Sequence, residues 1–96
     1  MKSLSEIKST LEKNKSRLFY SYPIKSLAIF GSFARNEGDE NSDLDIIVEF
    51  NDRIGVRFID LANELEKLME LKVDLVSRKG IKERYLQSIE EDLIYV

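Results

Sequence analysis

The sequence predicts an α/β fold of the mixed α+β kind, a small mixed sheet of about three to four strands flanked by helices. Three observations carry this. First, Leu44, Ile46, Val48 and Phe50 fall on one face of a strand and Asp43, Asp45, Ile47 and Glu49 on the other, a period of two with one well-buried face. Second, apolar residues recur at helical spacing in residues 4–18 and again in residues 55–70. Third, the second of these helices joins two strands, the order of a crossover between parallel strands.

In chain order, Ser3 followed by Glu6 fits a capping box, so a helix starts at Leu4. Leu4, Ile7, Leu11 and Leu18 give it one apolar stripe, and Tyr22-Pro23 stops it, because the residue before proline is pushed to extended geometry. Leu27 to Phe30 is an apolar run halted by Gly31, a buried strand. Residues 31–42 hold one helical turn and then a polar loop. After the alternating strand, Asn51-Asp52 turns the chain and is expected to cap the next helix. Val56, Ile59, Ala62, Leu65, Leu68 and Met69 are expected to form its buried stripe, with Glu64, Glu66, Lys67 and Glu70 outside. Val73 to Val76 is a third strand. Ile81, Tyr85, Ile89 and Leu93 mark a last helix before an apolar tail at Tyr95-Val96. Strand one can pair with strand two in either direction.

Composition narrows the chemistry. Ninety-six residues fit one domain, so residues 1–96 are expected to form a single unit. No apolar run approaches the ~20 residues that cross a bilayer, and the first residues lack an apolar signal core, so a cytoplasmic protein away from membranes is expected. Without Cys, disulfides and thiolate zinc sites are excluded; without His, imidazole triads and imidazole metal sites are excluded. Carboxylates, hydroxyls, Lys, Arg and Tyr remain, an inventory suited to Mg²⁺. Residues 1–30 carry a net charge of +4 and residues 31–96 a net charge of −7. Such an acidic body is a poor binder of a nucleic-acid backbone, and no direct nucleic-acid binding is expected.

Three small features carry chemistry. Asp43 and Asp45 lie two apart on a strand and share a face, their Cα atoms roughly 6.5–7 Å apart. Carboxylates so close repel unless a cation lies between them or one takes a proton. Asp-x-Asp at a strand start is also ordinary turn and edge chemistry. Asp74 is the polar residue in Val-Asp-Leu-Val, and an acid within an apolar strand is costly unless partnered or at a solvent-facing edge. If its strand neighbours the second, it joins the Asp43/Asp45 pair, and three carboxylates are enough for two Mg²⁺ ions. Gly31-Ser32 follows a buried strand and opens a turn, where backbone N–H groups attract phosphate.

Together these residues resemble a known signature: Gly31-Ser32, ten residues, then Asp43-x-Asp45, within the frame Leu27–Phe30 and Ile46–Val48. Phe33-Ala34-Arg35 and Ser42 also sit as in nucleotidyltransferases of the polymerase beta-like kind, and Asp74 stands where that family places a third carboxylate. The length resembles the minimal nucleotidyltransferases, close to the antitoxin of HEPN/MNT toxin–antitoxin systems. One departure is Asn36 where relatives often have Gly, with Gly38 two residues later. Asn tolerates left-handed geometry.

The resemblance implies a transferase that moves AMP from Mg-ATP to a Tyr hydroxyl of a HEPN-type RNase toxin encoded nearby, with both a homo- and a hetero-oligomer left open. Asp43 and Asp45 would hold one Mg²⁺ bridging the triphosphate, and Asp45 and Asp74 the second. Asp74 would assist deprotonation, and Gly31, Ser32 and Ser42 would bind the nucleotide. Arg35 would neutralise phosphate charge or form a surface ion pair. Two alternatives stay open: a non-catalytic module that masks its partner stoichiometrically, using Lys13, Lys15, Arg17 and the Leu93–Val96 tail, and a nucleotidyltransferase for small molecules.

Overall fold

The computed structural model describes residues 2–96. Its elements run α1 (Leu4–Ser21), β1 (Ile24–Phe30), α2 (Gly31–Ala34), β2 (Leu44–Phe50), α3 (Arg57–Met69), β3 (Val73–Ser77), α4 (Glu83–Ile89) and β4 (Ile94–Tyr95), with single 3-10 turns at Arg78–Gly80 and Glu90–Asp92. The sheet order is β3-β2-β1-β4. β2 and β3 are parallel across the α3 crossover, as predicted; β1 is antiparallel to both β2 and β4. Among the described residues no helix is long and apolar enough to cross a membrane.

Local chemistry sets the ends of the elements. The Ser3 hydroxyl accepts the Glu6 N–H at 3.2 Å, which satisfies one of the free donors at the start of α1. That helix runs to Ser21 and ends at an extended Tyr22 before Pro23. α3 ends on Glu70 in left-handed geometry (φ 54). Its start departs from expectation. Asp52 accepts the neighbouring Arg53 N–H, and the chain then turns through Gly55 (φ 58), so the helix begins at Arg57 without a side-chain cap.

One face of the sheet carries most of the core. α1 supplies Ile7, Leu11 and Leu18, and α3 supplies Leu61, Leu65 and Met69. They pack on Leu27, Ile29, Leu44, Ile46, Val48 and Leu75. The stripe on α3 is therefore rotated from the one read in the sequence. Val56 is 83% exposed because it precedes the helix. Ile59 is 63% exposed because it lies two residues, roughly 200° of helix, from Leu61. Glu64 and Glu66, expected on the outside, have structural work. Glu64 accepts from Tyr22 Oη at 2.8 Å and pairs with Arg17, clamping α1 to α3. Glu66 accepts the Val73 N–H at 2.9 Å, which anchors the start of β3.

The other face is thinly covered. Ala28, Phe30 and Ile47 meet Leu86 and Ile89 of α4. On this helix Leu86, not Tyr85, points inward, and Tyr85 stays 48% exposed at the rim. The apolar tail joins the sheet: Ile94-Tyr95 pairs with Ile29 and Ala28, and the Val96 N–H donates to the Leu27 carbonyl, while the Tyr95 side chain stays exposed.

Candidate active site

The parallel β2/β3 register places Asp45 directly beside Asp74, and the antiparallel β1/β2 register places Asp45 beside Phe30. Two anchors fix this register: Leu44 N–H donates to the Lys72 carbonyl at 2.8 Å, and Glu66 holds the Val73 N–H. Adjacent strands lie about 4.8 Å apart, so the two carboxylates meet across the strand gap. β2 is a central strand, so Asp45 is half-buried. β3 is an edge strand, so Asp74 is exposed, and Asp43 is exposed just ahead of β2.

Asp45 also lies against the turn that follows β1. Gly31 has φ +75, and a Cβ there would lie 2.2 Å from a carboxylate oxygen of Asp45. Glycine is thus required twice, by backbone conformation and by space. The outcome is a carboxylate pressed against a backbone turn with two other acids nearby. Its pKa is raised to about 6, first by burial, then by the charges of Asp74 and Asp43 and by hydrogen bonding with Asp74, against a small opposing effect of Arg35. Asp45 is therefore held in an unfavourable ionised form that a cation would relieve.

The donor set is all oxygen, which fits Mg²⁺. Among the described residues no three acidic side chains converge tightly enough on one point to ligate an ion unaided. The preformed part is the Asp45/Asp74 pair, with Asp43 beside it. This is consistent with Mg²⁺, which commonly takes one or two carboxylates and completes its shell with phosphate and water.

The remaining predicted residues fall around this pair. Ser32 sits half-buried in the single turn α2, whose only buried side chain is Phe33. Arg35 is exposed and donates to Glu37 at 3.1 Å and Asp92 at 2.9 Å, so it forms the surface ion pair, although its charge still reaches Asp45. The sequence offered no signal for the Asp92 partner, 57 residues away. The Ser42 hydroxyl donates to the Asp39 carboxylate and accepts the Asp39 N–H, both at 3.1 Å, a turn that leads into Asp43. Asn36 adopts φ 62, so it supplies the left-handed turn that glycine would. Gly38 instead lets the backbone lie on the Phe33 ring, 2.5 Å from where its Cβ would be. A cleft of about 740 Å³ lies at the opposite end of β2 and β3, around Phe50, Ile54 and Arg78. With Asp43 and Asp74 exposed, the carboxylates occupy an open shelf.

Comparison with known proteins agrees with this geometry. A family model described as "Nucleotidyltransferase domain" matches residues 5–96. The chain is 50% identical to the "Putative protein adenylyltransferase MJ0126" of Methanocaldococcus jannaschii, over 100% of both chains. It is 35% identical to the "Protein adenylyltransferase MntA" of Thermococcus cleftensis, over 100% of this chain and 98% of that one. A solved structure described as a "putative minimal nucleotidyltransferase" superposes with a TM-score of 0.83 at 31% identity, covering 97% of this chain and 95% of the other. The fold is shared as well by a chain in the complex of a tri-AMPylated Shewanella oneidensis HEPN toxin with MNT antitoxin (TM-score 0.67, 20% identity, 93% of this chain and 70% of that one). The chain belongs to the nucleotidyltransferase domain family, in its minimal form.

Proposed function

We propose that this protein transfers AMP from Mg-ATP to a hydroxyl, a Tyr of a HEPN-type toxin, and thereby acts as that toxin's antitoxin. The observation that carries the reading is the Asp45/Asp74 pair set against the Gly31 turn, with the Asp45 carboxylate raised to about 6. Its likeness to a relative named a protein adenylyltransferase supports the protein acceptor. The shared fold with a chain of a HEPN toxin–MNT antitoxin complex supports the kind of partner. The open shelf supports it too, since small acceptors are usually buried in a pocket whereas a protein brings its own surface. Residues 1–96 would then act as one catalytic unit.

Two Mg²⁺ ions, bound by Asp43, Asp45 and Asp74, would offset charge on the attacking and leaving oxygens. The protein's own residues do the rest. Asp45 and Asp43 orient the triphosphate, whose β and γ phosphates lie against the Gly31 backbone and the Ser32 hydroxyl. Ser42 holds the turn that aims Asp43 and comes within reach of the nucleotide. Asp74, exposed on the edge strand, takes the proton of the acceptor hydroxyl. The acceptor oxygen bonds to the α phosphorus, the bond to the β phosphate breaks, and pyrophosphate leaves.

The test is incubation with host extract, Mg²⁺ and ATP labelled at the α or the γ phosphate, beside an Asp45→Asn variant. Label from the α position on one protein band, absent in the variant, is expected. Protection of the partner at equimolar ratio without ATP would instead support a masking module. Label on a small product would support a small-molecule acceptor.

A further inference from the structure

The carboxylates and the Gly31 turn account for the triphosphate and the acceptor, but they leave the nucleobase without a partner. Among the exposed large apolar side chains, Tyr85 differs from the others in where it stands. Val56 and Ile59 lie before and on α3, over the opposite face of the sheet, Tyr20 is at the end of α1, and Tyr95, although it shares the face of Ala28, stands on the edge strand β4, which β1 separates from β2 and β3. Tyr85 projects from α4, which covers the same face that bears Asp45 and Asp74. That shared face follows from alternation: Asp45 and Ile47 are two apart on β2, Asp74 and Val76 two apart on β3, and Ile47 and Val76 both pack in the α4 cluster.

The ring is also aimed at the correct end of the sheet. It meets Phe30 edge to face, with centroids 6.5 Å apart and planes at 82°. Phe30 is the residue before Gly31 and the cross-strand partner of Asp45. This contact braces the Tyr85 ring, yet the residue stays 48% exposed. Helical periodicity would have placed Tyr85 in the core, but Leu86 and Ile89 fill that position. A half-exposed, braced aromatic plane beside a triphosphate site is a stacking platform, and stacking accepts any base while favouring the larger purines.

We propose that Tyr85, braced by Phe30, the neighbour of Gly31 and the cross-strand partner of Asp45, is the surface on which the purine of the nucleotide stacks. This rests on the reading of the shelf as a Mg-ATP site. The ring does the work and the hydroxyl is dispensable.

The experiment measures equilibrium binding of ATP and of inorganic tripolyphosphate, both with Mg²⁺, to the wild type, Tyr85→Ala and Tyr85→Phe. Melting curves check that each variant is folded. Tyr85→Ala should weaken ATP roughly 5- to 150-fold, the range expected for loss of one base–aromatic stack. It should leave tripolyphosphate unchanged, and Tyr85→Phe should match the wild type for both. Equal ATP affinity in wild type and Tyr85→Ala overturns the stacking proposal while leaving the nucleotide site intact. A Tyr85→Phe variant as weak as Tyr85→Ala overturns it in favour of a hydroxyl contact. A wild type that binds neither ATP nor tripolyphosphate removes the nucleotide site itself, and the stacking proposal with it.

Discussion

The two faces of the sheet do different work. The face under α1 and α3 buries fifteen residues in one continuous cluster, and the face under α4 buries five. The thick face is dry and uniform: among the described residues no polar or charged residue is fully buried there or elsewhere. The thin face stops short of the sheet's end, and Asp45 and Asp74 occupy the strip that α4 leaves open.

The most damaging test of this contrast compares the same substitution on each face. Leu65 is fully buried in the large cluster, so Leu65→Ala should cost about 2–5 kcal/mol, a large part of the roughly 5–15 kcal/mol expected for a domain. Leu86 keeps 6% exposure in a cluster of five that can close over a gap, so Leu86→Ala should fall at the low end, about 2 kcal/mol. Urea unfolding measures both. An equal or greater cost at Leu86 would mean that the thin face is not the weaker one.

Next in size is Asp45→Asn. The amide matches the carboxylate in shape, so the fold should persist while transfer falls by at least roughly 10²-fold, the scale of losing one preorganised electrostatic group. In EDTA the variant should melt above the wild type, because a strained charge has been removed. Near-normal turnover would end the carboxylate mechanism. A lower melting temperature in EDTA would mean that the acids are not in mutual repulsion.

The same carboxylate makes apo stability depend on pH in an uncommon direction. The pKa of Asp45 is about 6 in the folded chain, above the 3.8 of the free side chain. Between those values the unfolded chain has lost the proton that the folded chain keeps, so stability falls as pH rises from about 4 to 6 and levels off above. Because the group is only half-buried, solvent screening reduces the effect to about 1 kcal/mol. The measurement is the difference between wild type and Asp45→Asn in EDTA across that range, which cancels the other carboxylates. Glu64 illustrates the opposite case on the thick face: the hydrogen bond from Arg17 lowers its pKa, so its contribution is present at neutral pH and is lost on acidification.

Much of this was legible in the sequence, for physical reasons that differ by element. β2 was readable to the residue because period-two alternation is strict wherever one face is buried. The connecting helix made β2 and β3 readable as parallel, but their adjacency, and with it the Asp45/Asp74 meeting, stayed conditional until the sheet order was known. The buried side of α3 was misread at Val56 and Ile59. The left-handed turn at Gly55 leaves Val56 outside the helix, and Ile59, roughly 200° from Leu61, cannot share the face that Leu61, Leu65 and Met69 fill. On α4, Tyr85 and Leu86 are adjacent and equally apolar to a periodicity count; which one turns inward depends on tertiary packing, where Leu86 joins Ala28, Phe30 and Ile47. The two-residue β4 is too short to show alternation, and its pairing depends on partners, Ala28 and Ile29, far back in the sequence. The Arg35–Asp92 ion pair is equally non-local.

The smallest effect concerns the loop that joins the two faces to the phosphate turn. Asn36 holds φ 62, and Gly38 packs its bare backbone on Phe33. Asn36→Ala should cost about 1 kcal/mol, because alanine lacks the local hydrogen bonding that lets Asn accept left-handed geometry. Asn36→Gly should change stability by only a few tenths of a kcal/mol, since easier geometry in the folded chain is offset by a freer unfolded one. Thermal melting of both variants measures this, and label transfer should stay within about twofold of wild type for Asn36→Gly, because Asn already delivers the required turn. A several-fold gain with glycine would locate a catalytic weakness in the loop. It would show that matching one backbone angle does not restore the amide geometry that the phosphates meet at Gly31 and Ser32.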